Sequence, residues 1–291
     1  MRTSGVFTTH SFYHKIKKLD PFNIYYFSDV HKYARLHNAE RWNRFLDIAR
    51  ADKTALYVGG GDYTEIGSTK ERKALAVLNR ESHEDMPRTI DNMLMDQCLG
   101  FCKDIDFMRG RIIGLIGGNH DAQFQSGIFM SQKIADILGA KWLGVCSLGR
   151  ITIDFYNKTQ SITEYLHHGK GGGSPGNALN KAIDMHDTVE SDICFMSDSH
   201  TRTLDMTAKM RLGGTNENGE IRMIMRDIIS GRTGSFLNGY VNGEGSYVTD
   251  MALKPASLGG VKVQVVPKQG NKKINGKRNQ VFSIDLIPGF V

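Results

Sequence analysis

Short apolar runs rich in β-branched and aromatic residues recur along the chain, and glycine or a polar residue ends each of them. Three of these runs lie at 23–28 (N-I-Y-Y-F-S), 54–58 (T-A-L-Y-V) and 111–116 (R-I-I-G-L-I). Runs of this length between turn-forming residues predict buried β-strands. Polar side chains follow them closely, and strand ends in an α/β sheet are where ligand-binding groups converge. We therefore expect a sheet with a polar site along one edge.

Helical periodicity separates the first runs, as at 38–52, where Trp42, Phe45 and Leu46 recur at helical spacing. The same patterns predict helices at 85–108, 126–138 and 178–187, and strands at 151–156, 164–166, 192–196, 222–229, 260–266 and 281–286. Helices alternate with strands first and strands dominate later, which predicts an α/β fold of two packed mixed β-sheets flanked by helices. Without a clear linker, we expect one domain over 1–291, with a motif-bearing core at about 23–200 and a β-rich part at about 201–291.

Composition places the chain among globular proteins, because 40% of its 291 residues are hydrophobic and only 6 are proline. The start of the sequence lacks the apolar segment of a signal peptide, and no run of 18 apolar residues could span a bilayer. Cysteines form neither a C-x-x-C pair nor a zinc-finger spacing, which is consistent with thiols in a reducing cytosol. We expect a cytoplasmic protein with no membrane partner. The four cysteines are Cys98, Cys102, Cys146 and Cys194.

Most of the formal net charge of +6 comes from one short segment between the last two predicted strands. Basic patches of this kind contact phosphates, so the segment predicts a DNA or RNA partner. The alternative is a solvated hairpin tip with no binding role. Protein partners cannot be read from the sequence. The five basic residues are Lys268, Lys272, Lys273, Lys277 and Arg278.

Five polar clusters contain the side chains that could bind a metal ion or take part in catalysis. Asp29-Val30-His31 and Asp198-Ser199-His200 share a D-x-H spacing, and residues two apart in a strand point the same way. Each pair is therefore expected to hold one side of a metal ion. Gly-Asn-His-Asp at 118–121 is more specific, although a turn with ordinary caps is the alternative. The remaining clusters are Gly61-Asp62 and His167-His168-Gly169.

In this order, the five motifs resemble those of the calcineurin-like metallophosphoesterases over about 23–200. The resemblance implies a four-layer sandwich with two divalent metal ions. One ion would be bound by Asp29, His31 and His200, the other by Asn119, His168 and Asp198, and Asp62 would bridge the two. His120 would stabilise or protonate the leaving oxygen, with Asp121 holding its ring. Oxygen and imidazole ligands suit Mn²⁺, Mg²⁺, Zn²⁺ or Fe, and Mn²⁺ is our preferred prediction.

Two positions depart from the family pattern. The last motif is normally G-H-x-H, whereas this chain has Asp198 in place of the first histidine. An anionic ligand there is expected to favour Mn²⁺ or Mg²⁺, or to weaken the second metal site. The second motif commonly continues to aspartate or asparagine, where this chain has Glu65. We expect Glu65 to support the ligands rather than to bind metal, and a catalytically weakened member remains an alternative.

Substrate contacts are predicted at His167, Lys170 and Arg202, which lie in or near the last two motifs. Phosphatases of the family typically place an arginine after the second motif to bind a monoester dianion, but here Ile66 follows Glu65. That absence favours a phosphodiesterase or nuclease acting on nucleic acid or a nucleotide-like diester. The alternatives are a phosphomonoesterase acting on a protein or a small molecule, and a non-catalytic nucleic-acid-binding or scaffold protein.

Overall fold

Two β-sheets and several helices make up the computed structural model, which describes residues 6–67, 74, 77, 85–169, 175–215, 219–250, 252–274 and 277–291. The strands in this part of the chain are β1 (Phe7–Ile16), β2 (Phe22–Phe27), β3 (Leu56–Gly59), β4 (Ile112–Leu115), β5 (Cys146–Phe155), β6 (Lys158–His167), β7 (Ile193–Met196), β8 (Arg202–Thr215), β9 (Ile221–Thr233), β10 (Val261–Ile274) and β11 (Lys277–Phe290). The helices are α1 (Ala39–Ala51), α2 (Asp85–Ile105), α3 (Met130–Leu138), α4 (Pro175–Thr188) and α5 (Tyr247–Asp250), and a 3₁₀ turn at Asp106–Met108 follows α2.

Both sheets are mixed. The six-stranded sheet has the order β1-β5-β6-β7-β9-β8, and the five-stranded sheet has the order β11-β10-β2-β3-β4. Strands β2, β3 and β4 run parallel in one sheet, and β6, β7 and β9 run parallel in the other. The predicted α/β class with two packed mixed sheets flanked by helices is therefore confirmed.

Strand β2 shows how the layers are held together, because both of its faces are buried. Ile24 and Tyr26 pack into the core between the two sheets, whereas Tyr25 and Phe27 pack against the helices. A strand covered on both sides needs an unbroken apolar run, which explains the sequence of β2. On the other sheet, α4 packs against β9, where His186 lies 3.2 Å from the carbonyl oxygen of Ile229. The order of layers is thus helices, sheet, sheet and helix.

Several sequence predictions differ from the structure at their boundaries. The helix predicted at 126–138 begins only at Met130, and the strands predicted at 151–156 and 164–166 belong to the longer strands β5 and β6. Strands β1 and β8 were not predicted at all. Both are edge strands, so one side of their backbone carries no ladder and polar residues interrupt their apolar pattern. Of the helices described, none combines the length and apolar composition needed to cross a bilayer.

The described residues of the basic segment at 268–278 lie in strands, because β10 and β11 extend beyond the strands predicted at 260–266 and 281–286. Lys268, Lys272 and Lys273 lie in β10, whereas Lys277 and Arg278 lie in β11, and these two strands form one long hairpin. In this hairpin, Lys273 pairs with Arg278 and Ile274 with Lys277. Residues 268–273 (K-Q-G-N-K-K) include no apolar side chain, so no apolar face predicts a strand there.

Strand register places the basic end of this hairpin far from the polar edge of the sheet. Val261 at the start of β10 pairs with Tyr26, and Val265 pairs with Phe22, so β10 runs antiparallel to β2. From Val265 onward, β10 continues beyond the first residue of β2. At about 3.3 Å per residue, Lys268 lies roughly 30 Å along the strand direction from the residue that follows β2.

A buried network joins the edge strand β1 to both sheets. His10 Nε2 lies 3.0 Å from Glu164 Oε1, and its Nδ1 lies 2.8 Å from Ser147 Oγ. Tyr26 donates its hydroxyl hydrogen to the other oxygen of Glu164, at 2.9 Å. Glu164 is fully buried, so its carboxylate depends on these partners for solvation.

Glu164→Ala is expected to lower the free energy of unfolding by about 3 kcal/mol, because two buried polar groups lose their partner. Urea denaturation followed by circular dichroism measures the change. Glu190→Ala is the control, since Glu190 pairs with Arg211 on the surface. That variant is expected to lose less than about 1 kcal/mol. Equal losses in the two variants would contradict a stabilising role of the network.

Candidate metal centre

The five polar clusters converge because the parallel strands of both sheets end on the same side of the molecule. Asp29 and His31 follow β2, Asp62 follows β3, and the Asn119–His120 turn follows β4. From the other sheet, His168 follows β6, and Asp198 and His200 follow β7. Backbone hydrogen bonds connect the first two turns: Asp29 N donates to Gly61 O, and His31 N donates to Asp62 O, both at 3.0 Å.

The D-x-H pairs reach the site by a different route from the one we predicted. Asp29 and His31 lie beyond the end of β2 and have φ values of 49° and 45°, in the left-handed region. Asp198 and His200 repeat this conformation, with φ values of 64° and 54°. Side-chain alternation within a strand therefore does not align the pairs. Non-glycine residues rarely adopt such φ values, and residues held in them cluster at functional sites.

The first ligand group consists of Asp29, His31 and His200. The Nε2 atoms of the two histidines lie 3.3 Å apart. Asp29 Oδ1 lies 3.4 Å from Nε2 of His200 and 4.0 Å from Nε2 of His31. This oxygen is buried and has no hydrogen-bond partner in the described part of the chain. A buried carboxylate oxygen facing two imidazole nitrogens is well matched to a divalent cation.

The second group is built around Asp62. His168 Nε2 lies 3.1 Å from Asp62 Oδ2 and 3.9 Å from Asp198 Oδ1. Asn119 donates from Nδ2 to the same Asp198 oxygen at 2.8 Å. Asp62 Oδ2 also lies 4.0 Å from His31 Nε2, so this carboxylate stands between the two groups. Three overlapping sets bring one ligand atom per residue within 4.8 Å: Asp29, His31 and His200; His31, Asp62 and His120; and Asp29, Asp62 and His168.

Charges within the cluster favour a cation at its centre. Burial disfavours the charged form of His168, but the Asp62 carboxylate outweighs burial and raises the pKa of His168 to about 10. Burial also opposes charge on His200, yet Asp29 raises its pKa above the ordinary value. For Asp62, burial alone would raise the pKa, but His168 and His31 outweigh it and hold the pKa far below its usual range. At these three residues, interactions between carboxylates and imidazoles therefore outweigh burial.

Both inner histidines are held by contacts on their other ring nitrogen. His168 Nδ1 lies 2.7 Å from the carbonyl oxygen of Gly60, so it donates there and leaves Nε2 facing Asp62. His31 Nδ1 lies 3.0 Å from Glu65 Oε2. Metal-binding histidines in proteins almost always have such a partner, which fixes the tautomer and the orientation of the ring. The side chains thus fit divalent metal ions both in their donor atoms and in the supporting contacts.

Glu65, and not Asp121, contacts the ring of His120, which corrects our expectation. His120 Nδ1 lies 2.5 Å from Glu65 Oε2, the oxygen that also contacts His31. Hydrogen bonds from both histidines outweigh burial and lower the pKa of Glu65 to about 2. Asp121 instead accepts hydrogen bonds from the backbone N and Oγ of Ser131 in α3. Burial raises the pKa of Asp121 to about 7.

Glu65→Gln is expected to weaken metal affinity by about 10- to 100-fold, because a neutral amide accepts the hydrogen bonds from the two histidines more weakly than the charged carboxylate does. Isothermal titration of the metal-stripped protein with MnCl₂ measures this change directly. Glu40→Gln, an exposed substitution in the first turn of α1, is the control. Unchanged Mn²⁺ affinity in Glu65→Gln would show that Glu65 does not support the site.

Arg232 is a buried arginine that sequence reasoning missed, because the predicted strand at 222–229 stopped before it. It pairs with Met196 in the sheet, and its Nη1 donates to the carbonyl oxygen of Ser197 at 2.7 Å. Burial lowers the pKa of Arg232, while the carboxylates of Asp198 and Asp29 act in the opposite direction. A buried positive charge therefore lies near Asp198.

The predicted substrate contacts have different surroundings. His167 is the last residue of β6, and its Nδ1 accepts a hydrogen bond from Gly169 N at 2.7 Å. The guanidinium of Arg202 donates to the carbonyl oxygen of Val291 at the end of the chain. It also donates to Ser257 Oγ at 2.8 Å. Lys170 lies outside the described residues.

Comparison with known proteins shows a distant structural likeness. No protein-family model matches the sequence, and no curated protein matches it. Among solved structures, the chain is similar to the NAD nucleotidase NadN of Haemophilus influenzae, with 12% sequence identity and a TM-score of 0.37. The match covers 94% of this chain and 50% of that one, so the chain spans about half the length of that neighbour. A likeness this distant supports no conclusion about activity.

Proposed function

We propose that the chain is a dinuclear metal-dependent phosphoester hydrolase of the calcineurin-like metallophosphoesterase type. The observation that carries the proposal is the position of Asp62, whose carboxylate oxygen faces His31 on one side and His168 on the other. One ion would be bound by Asp29, His31 and His200, and the other by Asn119, His168 and Asp198. When bound, such a pair of cations makes water a stronger nucleophile and stabilises charge on the phosphoryl oxygens.

His120 is the residue we assign to the leaving group. Its ring is partly exposed, in contrast to the buried ring of His31, and the two ring centroids lie 4.7 Å apart. Because Nδ1 is held by Glu65, Nε2 is the nitrogen that can face substrate. Water adds to phosphorus as the bond to the leaving oxygen breaks. His120 Nε2–H donates a proton to that oxygen, and the proton that the attacking water loses passes to solvent. Asp121 would support this step only indirectly, by fixing the turn that carries His120 through its hydrogen bonds with Ser131.

Mn²⁺ is the ion we propose for the site, with Mg²⁺, Zn²⁺ and Fe as alternatives. Asp198 supports a preference for harder ions, since it adds a carboxylate oxygen where the family has an imidazole nitrogen. Nearby Arg232 acts against this preference by offsetting part of the negative charge. Because Asp198 and Arg232 have opposite effects on metal preference, the affinities of Asp198→His for Mn²⁺, Mg²⁺ and Zn²⁺ must be compared with those of the wild-type protein.

A phosphodiester is the substrate class we propose, as nucleic acid or a nucleotide-like molecule. Support comes from Arg202, which is occupied by the end of the chain and so does not supply a guanidinium to a monoester dianion. A phosphomonoesterase is the alternative enzyme. A non-catalytic nucleic-acid-binding or scaffold protein is the alternative from another class, in which Asp198 would have weakened the second metal site.

Nucleic-acid contact at the β10–β11 hairpin remains a prediction. Since the basic residues lie at the end of the hairpin remote from Asp62, they could assist only a polymer that extends along the molecule. A short diester bound at the cluster would not reach them. Salt dependence separates these cases, because each phosphate contact changes the slope of log K against log salt by about 0.9 for duplex DNA.

We also propose that residues 1–291 act as one domain. Strands β8 and β9 complete the six-stranded sheet, and β10 and β11 complete the five-stranded sheet, so the later part of the chain contributes to both. A cytoplasmic location is the corresponding proposal for the compartment. All four cysteines are unpaired and buried, which supports a reducing environment.

The test is a substrate panel with metal-stripped protein resupplied with Mn²⁺, Mg²⁺ or Zn²⁺. It compares p-nitrophenyl phosphate, bis-p-nitrophenyl phosphate, and labelled single- and double-stranded DNA. We expect hydrolysis of the diester with Mn²⁺ and its loss on chelation. Faster hydrolysis of the monoester would replace the diesterase assignment with the phosphatase. Absence of hydrolysis with all three metals, despite measurable metal binding, would favour the non-catalytic alternative.

A further inference from the structure

The β8–β9 hairpin carries an exposed apolar face that the proposed function does not use. Met210 and Leu212 in β8 are 72% and 78% exposed, and they pair with Met225 and Met223 in β9. Residues that pair directly share one face of a sheet, so these four side chains form a continuous patch. Met206 extends it toward the body of the molecule. We call this patch the methionine face.

This face continues the core side of the sheet beyond the part that the second sheet covers. Met206 pairs with Ile229, which is buried in the core between the sheets. The hairpin then extends away from the metal centre, and Met210 lies roughly 30 Å along the strand from His200 at about 3.3 Å per residue. The face of the six-stranded sheet that packs against the five-stranded sheet near the metal centre is therefore exposed at the far end of the β8–β9 hairpin.

The opposite face of the hairpin is charged and already occupied. Lys209 donates to the carbonyl oxygen of His186 at the end of α4, and Arg226 pairs with Asp192. Arg211 pairs with Glu190 in the same region. On the methionine face, Asp227 is the one charged side chain among those described. An apolar surface with one acid and no base is unsuited to anionic lipid or nucleic acid, but it suits an apolar protein surface.

We propose that the methionine face binds the same face of a second copy of this chain. Two copies related by a twofold axis place one patch on the other, and an apolar patch is complementary to itself. Its five side chains expose roughly 600 Å² per copy, near the lower limit of specific interfaces, which bury about 800 Å² per partner. The dimer is therefore expected to dissociate at micromolar concentration.

Packing face to face is favoured over pairing of the two β8 edges. Antiparallel pairing of β8 with itself near Met210 would bring Lys209 and Arg211 of the two copies together. Like charges on directly opposed strands are destabilising, and lysine on an edge strand typically prevents such pairing. Face-to-face packing leaves the hydrogen bond of Lys209 and the ion pair of Arg211 intact.

Sedimentation equilibrium of the full chain from about 1 to 200 µM tests the proposal. We expect the mass to rise from monomer to dimer, and we expect Met210→Lys/Met225→Lys to shift the midpoint upward by at least tenfold. Met86→Lys/Met93→Lys on α2 is the control, because it adds the same charge at two exposed methionines elsewhere. Should the lysine variant fold poorly by circular dichroism, Leu212→Gln/Met223→Gln replaces it, with the same shift expected.

A wild-type protein that stays monomeric at every concentration overturns the proposal, as does an equal midpoint for the wild type and the hairpin variant. Binding of the monomer to vesicles through this face would also overturn it, in favour of a lipid surface. Mn²⁺ affinity is expected to be unchanged in the hairpin variant, since the metal centre lies at the other end of the molecule. Failure of this proposal is therefore distinguishable from failure of the proposed activity.

Discussion

Asp62→Asn is expected to reduce turnover of a phosphodiester by a factor on the order of 10² or more. Its Oδ2 faces both His31 and His168, and its Oδ1 accepts a hydrogen bond from His120 N at 2.8 Å. An asparagine keeps the size of the side chain but replaces one of these oxygens with an amide nitrogen, which does not bind a hard cation. Both ligand groups are therefore expected to lose affinity together.

Measurement of Mn²⁺ affinity and turnover on the same preparations separates this effect from unfolding. Asp154→Asn is the matched control, because Asp154 is also buried but lies near the end of β5 remote from the metal centre. We expect that variant to keep turnover within about threefold of the wild type. Near-wild-type turnover by Asp62→Asn under saturating Mn²⁺ would refute the proposal of two ions joined by this carboxylate.

Much of the candidate site was predictable because strand ends are encoded locally. The apolar run before Asp29 and the glycines before Asp62 mark where two neighbouring strands stop. Parallel strands that stop at the same edge bring their following residues together whatever the intervening helices contain. Residues that are far apart in the sequence could therefore be assigned to one site from the ends of the predicted strands alone.

A supporting role for Glu65 was predicted, but its partners were not, because they depend on how loops from different strands meet. Glu65 contacts His31 and His120, and each of these residues follows a different strand. The resemblance implied Asp121 as the partner of His120, but the carboxylate of Asp121 accepts hydrogen bonds from Ser131 at the start of α3. Arg232 was missed for a related reason: only the pairing of β7 with β9 places it next to the last motif.

Edge strands and hairpin ends were the other parts that the sequence did not reveal. Strand β1 alternates exposed and half-buried residues, and on its half-buried side Thr8, His10 and His14 interrupt the apolar face formed by Phe12 and Ile16. In the outer half of β8, methionine and leucine stand where a soluble edge would carry polar residues. Periodicity records which face is apolar, but it does not tell whether that face is covered by the same chain or by another.

Gly118→Ala is expected to disrupt the metal centre as severely as removal of a ligand. A β-carbon at this position would lie 1.9 Å from Asp62 Oδ1 and 2.6 Å from the backbone N of Asp62. Neither atom can give way easily, because Oδ1 is bound to His120 N and the Asp62 carbonyl accepts from His31 N. Gly118 thus serves by allowing close approach of two turns, as glycine does where backbone meets a ligand site.

We expect Gly118→Ala to lower diester turnover by on the order of 10²-fold and to weaken Mn²⁺ binding, since Asp62 must move from between the two ligand groups. Overpacking of this kind costs about 1–3 kcal/mol of stability, so the protein should remain folded in thermal denaturation. Gly270→Ala is the control, because a β-carbon there meets no atom within 4 Å. Turnover by Gly118→Ala within threefold of this control would mean that the Asp62 carboxylate does not need the position that the structure gives it. Loss of Mn²⁺ affinity together with turnover, in a folded protein, would instead tie the activity to this single contact between the turns after β3 and β4.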